Sequence, residues 1–69
     1  MTQKDWVRKV AMLKHSADYL EDAVREFNEV IEMLTEDGHE SVESLIAQKR
    51  AEGSLSSGLR FLEYFRKEG

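Results

Sequence analysis

The cations and aromatic rings are the residues with the most chemical reach in this chain. Lys4, Arg8, Lys9 and Arg60 supply positive charge, and Tyr19 and Tyr64 supply rings that lie off the main apolar rows. Rings stack on bases and Lys or Arg neutralises phosphates, so this set suits a negatively charged, nucleotide-like ligand. The plainer reading is a solvated face with i, i+4 pairs such as Asp5–Lys9, Glu21–Arg25 and Glu63–Lys67. Trp6, Phe61 and Phe65 belong to the same region. Trp6 and Phe65 sit on core stripes, where aromatics more often close a bundle than hold a ligand.

Catalysis finds little support. His15 has Asp18, Tyr19 and Asp22 on neighbouring turns, a spacing that could hold a metal, but the acids serve equally well as solvating charges. His39 stands beside Glu40 without a convergent cleft. Ser54, Ser56 and Ser57 have no nearby histidine to act as a base. The run Gly53-Ser-Leu-Ser-Ser-Gly58 lacks the spacing and the lysine of a phosphate-binding loop. The expectation is a non-enzymatic protein with no catalytic residue, no metal and no cofactor.

The elements that must position these groups read as two helices. Residues 2–37 contain neither Gly nor Pro, and Thr2 is a suitable N-cap with Asp5 three residues on. Gly38 stands where a left-handed glycine ends a helix. Between them Trp6, Val10, Leu13, Ala17, Leu20, Val24, Phe27, Ile31 and Leu34 recur at alternating spacings of 4 and 3. That is an unbroken heptad seam, and Val7, Ala23 and Val30 widen it. The expected helix covers about residues 3–37 and is roughly 50 Å long.

Gly38-His-Glu-Ser41 reads as a short turn. Ser41 is a good N-cap, and Glu43 suits the positive end of the next helix. A second helix is expected from Val42 to about Lys67. Its middle is small and polar, so either it breaks near Gly53 or it runs on and lets a neighbouring backbone come close. Continuity fits better, because Ala47, Ala51, Leu55, Gly58, Leu62 and Phe65 then share one face. The connection is short, which predicts an all-α antiparallel helical hairpin in a single domain, 1–69. One partner helix covers only part of the first helix's stripe. The expected state is therefore a helical-bundle homo-oligomer whose interface is Trp6, Val10, Leu13, Leu20, Val24, Phe27, Ile31 and Leu34.

Charge is segregated along the chain. Residues 3–14 hold Lys4, Arg8, Lys9 and Lys14 against Asp5, while residues 18–43 hold ten acids against Arg25. A hairpin folded at residues 38–41 has an acidic turn end and a basic open end. Lys4, Arg8 and Lys9 near a helix N-terminus, and Glu36 and Asp37 near a C-terminus, oppose the helix dipole at a few tenths of a kcal/mol each.

Ten Lys and Arg against fourteen Asp and Glu leave a net charge of −4, which argues against general nucleic-acid binding. The chain contains no cysteine, so disulfides and thiolate metal sites are excluded. No apolar run approaches the ~18 residues of a membrane span, and no signal peptide is evident. The expected location is the cytoplasm.

Ala51-Glu-Gly-Ser-Leu-Ser-Ser-Gly-Leu-Arg-Phe-Leu62 resembles the second-helix pattern of small phage helical-hairpin proteins: an Ala, a Leu four on, a small residue three later, and a large apolar pair. That family assembles hairpins into rings and sequesters the cyclic-nucleotide signals of bacterial anti-phage defence of the CBASS and Thoeris types. The resemblance implies a phage origin, a host-cytoplasm location and anionic-ligand sequestration without chemistry. It places no ligand residue at a numbered position here, so the candidates are Lys4, Arg8, Lys9, Tyr19, Arg60 and Tyr64. The alternative is an acidic protein-interaction module, an inhibitor, anti-repressor or assembly factor whose turn end docks on a host or other partner protein.

Overall fold

The computed structural model describes residues 3–68; Thr2, the expected N-cap of the first helix, lies outside them. Helix α1 spans Gln3–Asp37 and helix α2 spans Val42–Glu68. The two pack side by side as an antiparallel, all-α hairpin about 53 Å long. Gly38 adopts φ +72°, and its N–H donates to Leu34 O at 2.9 Å, which closes α1 with a left-handed cap. At the start of α2, Ser44 N–H donates to Ser41 Oγ at 3.1 Å, and Ser41 N–H donates to Ser44 Oγ at 2.8 Å. This is a capping box in which a serine takes the place of the usual Glu or Gln. Helix α2 passes through Gly53 without interruption.

The helices meet along rows in which small side chains alternate with larger ones. On α1 the row runs Lys9, Met12, Ser16, Tyr19, Ala23, Glu26, Val30; on α2 it runs Ser44, Ala47, Ala51, Ser54, Gly58, Phe61, Phe65. Ser16, Ala23, Val30, Ser44, Ala47 and Ala51 are buried along it. Ser16 Oγ donates to the Gly58 carbonyl at 2.7 Å, and Ser54 Oγ donates to Glu26 Oε1 at 3.1 Å. A Cβ added to Gly58 would stand 2.8 Å from Leu20 Cγ and 3.2 Å from Ser16 O, so the backbones approach closely there. Among the described residues, the buried Glu26 Oε2 and Gln48 Nε2 have no hydrogen-bond partner, a polar flaw in the middle of the pair.

As expected, α2 covers only part of the heptad row of α1: the row lies one residue, about 100°, round the helix from the contact row, so Val10, Leu20, Phe27 and Leu34 are half-buried and the rest is exposed. Val24 is 61% exposed, Trp6 and Ile31 58% each. On α2, Leu55 likewise leaves the shared face, and Ser54 takes its place in the contact. The reason is steric: two helices come closest where their smallest residues meet, which places the bulkier ones on the flank.

Both helices are right-handed and they run in opposite directions. The rows one residue beyond each contact row therefore turn to the same side. Trp6 through Leu34 on α1 and Leu45, Leu55, Leu59 and Leu62 on α2 turn to one side of the hairpin and form a largely apolar face, with Gln48, Glu52 and Arg66 on the same α2 row. Folded monomers of 8.0 kDa expose ~4,450 Å² of surface. This chain exposes 5427 Å².

Candidate functional site

The flank opposite the apolar face carries the aromatic cluster. Phe61 is its centre, held in the contact row of α2. Tyr19 from α1 stacks on Phe61 with ring centroids 5.7 Å apart and planes 10° apart. Tyr64, one turn along α2, meets Phe61 edge-on at 6.1 Å. The His15 ring lies 5.4 Å from Phe61, tilted by 38°. His15, Tyr19 and Tyr64 are exposed, so the cluster presents ring surface and one imidazole to solvent. Such a group can stack on a planar ligand, and ring pairs of this geometry contribute about 0.5–1.5 kcal/mol beyond area burial.

Of the six candidate ligand residues, Tyr19 and Tyr64 come together, joined by Phe61. Lys4 and Arg8 are exposed on α1, and His15 lies two turns beyond Arg8 on the same side of the helix. Lys9 turns inward instead, with Nζ 4.9 Å from the Phe65 ring centroid, and covers the open end of the contact row. Arg60 is set apart, in a shallow groove at the α2 edge of the apolar face with Glu52, Leu55, Ser56, Leu59 and Glu63. The six therefore form no single enclosed pocket within one chain.

Phe61 and His15 are the members that sequence reasoning did not assign to the site. The available signal for Phe61 was its place three residues after Gly58 on the small-residue row of α2. His15 becomes meaningful only across the helix pair. Arg25 also differs from expectation: Nη2 donates to Asp22 Oδ1 at 2.7 Å, so the i, i+3 carboxylate takes it and Glu21 does not. Glu21 stays on the rim of the apolar face with Ala17, Leu20 and Val24.

The eight residues assigned to an oligomer interface all belong to the apolar face. Trp6, Leu13, Val24 and Ile31 are its exposed members, and Val10, Leu20, Phe27 and Leu34 are half-buried. Among the described residues no three His, Asp or Glu side chains converge as metal ligands, and no helix is long and apolar enough to cross a membrane. Comparison with protein-family models, curated proteins and solved structures finds no match.

Proposed function

We propose that this hairpin is a non-enzymatic binding protein that works as a homo-oligomer and sequesters an anionic, ring-bearing small molecule between copies. The observation that carries the reading is the apolar face, which spans both helices and stays uncovered within one chain. Trp6, Leu13, Val24 and Ile31 are exposed on it, and the chain as a whole exposes on the order of 1,000 Å² more than a compact monomer of its mass. The aromatic cluster and the Lys4 and Arg8 side chains supply stacking and charge on the opposite flank. The apolar face takes one neighbour, and the walls that the aromatic flank lacks come from a further copy packed on that flank. The resemblance to phage cyclic-nucleotide sponges agrees with this architecture and suggests the ligand class.

The test combines light scattering with a thermal-shift panel of cyclic nucleotides. A mass of several chains and a rise in Tm with one class of nucleotide are expected, because a ligand that binds only the folded state stabilises it by mass action. A single-chain mass at micromolar concentration rejects the assembly. An unchanged Tm across the panel rejects the nucleotide.

One observation favours a second reading. Residues 29–43 hold Glu29, Glu32, Glu36, Asp37, Glu40 and Glu43 without a Lys or Arg, all of them exposed around the turn. An acidic tip of this kind suits docking on a basic partner protein. That reading expects no nucleotide effect, and it expects binding to a basic protein that weakens with salt.

A further inference from the structure

The apolar face and the segregated charges together specify how a second copy sits. We infer that two hairpins stack face to face and head to tail, with the acidic turn end of each over the basic open end of the other. This order rests on the assembly reading above and adds its geometry.

Three observations converge on it. The first is area. The hairpin measures 53 × 14 × 12 Å, so one long side projects to an area on the order of 700 Å², near the ~800 Å² per partner of a stable pair. A second copy is therefore large enough to cover the face and needs no further subunit to do so.

The second is charge. Residues 3–14 carry four cations against one acid, and residues 60–68 carry three cations against two acids. The turn end, residues 29–43, carries six acids and no cation. Copies stacked in the same direction would bring twelve carboxylates to one end, within a Debye length of ~10 Å. Reversing one copy replaces that repulsion with attraction at both ends.

The third is the row itself. The nine apolar positions of α1 are nearly symmetric about Leu20. In a head-to-tail pair with its two-fold axis at Leu20, α1 packs on the partner's α1. Trp6 then meets the partner's Leu34, Leu13 meets the partner's Phe27, and Ala17 meets the partner's Val24. Every position of the row finds an apolar counterpart, and its one small residue, Ala17, opposes the larger Val24, as dense packing requires.

The experiment is a pair of spin-label distances on the full chain. The sequence has no cysteine, so Thr35→Cys and Glu21→Cys each carry a unique label, and both positions are exposed. Fifteen residues separate Thr35 from the proposed axis, so its two labels should lie about 45 Å apart at 1.5 Å rise per residue. Labels at Glu21, beside the axis, should lie within about 20 Å of each other. A short Thr35 distance in a protein that light scattering shows to be assembled overturns the head-to-tail order and leaves assembly standing. A single-chain mass with no intermolecular dipolar signal overturns both. A long Glu21 distance in an assembled protein also rejects the order, because it removes the axis from Leu20.

Discussion

The contact row between the helices and the apolar face beside it differ by one residue in register and by much more in chemistry. The contact row is built from Ser16, Ala23, Ser44, Ala47, Ala51 and Gly58, residues that bury little apolar area but allow a side chain-to-backbone hydrogen bond of 2.7 Å across the pair. The face is built from Trp, Leu, Ile, Val and Phe, and much of it stays in water. Apolar burial is worth about 25 cal/mol per Å², so the exposed Trp6, Leu13, Val24 and Ile31 hold hydrophobic stabilisation that its own second helix does not supply. A small-residue seam sets the geometry of the hairpin, and the flank is where association can stabilise it.

Three substitutions separate the two surfaces. Val24→Glu, on the exposed face, should have the largest effect: an unpaired carboxylate enters the association surface twice in a symmetric pair, and dimerisation should weaken on the order of 100-fold or more. Sedimentation at several concentrations reads this directly, and an unchanged mass distribution would show that the face is not the interface. Val24 is a cleaner probe than Leu20, because Leu20 also packs against Gly58.

Gly58→Val, in the contact row, comes next. Its Cβ would press on Leu20 and on the Ser16 carbonyl, and overpacking of this kind costs about 2–3 kcal/mol. In a chain of this size that lowers Tm by about 10–20 °C. Thermal unfolding followed by circular dichroism checks it, and a neutral result would mean that the helices can separate freely at that point. The smallest change is a gain. A Cβ at Gly53 meets nothing within 4 Å, so Gly53→Ala should stabilise by about 0.5–1 kcal/mol through helix propensity alone. The opposite signs at Gly53 and Gly58, both in α2, would sharpen the contrast between an open helix surface and the contact row.

Much of the fold was legible in the residues. Gly38 marked the end of α1 and Ser41 the start of α2, because each meets a local requirement, a positive φ and an acceptor for an orphan N–H. The periodicity of both helices and the short turn led to the hairpin. The candidate site was less legible. Tyr19 and Tyr64 were identified as rings off the apolar rows, but Phe61, the ring that joins them, was placed only in the same region and given no part in the site. Its role depends on which α1 residues stand opposite it. Lys9 was grouped with Lys4 and Arg8 by sequence proximity, yet it sits over Phe65 because it falls in the contact row and they do not. Arg25 illustrates the same limit on a smaller scale, since Asp22 and Glu21 are both within reach along one helix and side-chain geometry selects Asp22.

The sequence by itself determined the two helices, their caps, the polarity of the two ends and the existence of a continuous apolar row, since all of these follow from local dihedral preference, periodicity and charge position. Only the tertiary structure decided which row faces the partner helix. Hydrophobic periodicity says that a face tends to be buried but not against what. The pairing of two helices depends on how closely their backbones can approach, and that is a joint property of Ser16, Ala23, Ala51 and Gly58 on opposite elements, which no single stretch of sequence contains.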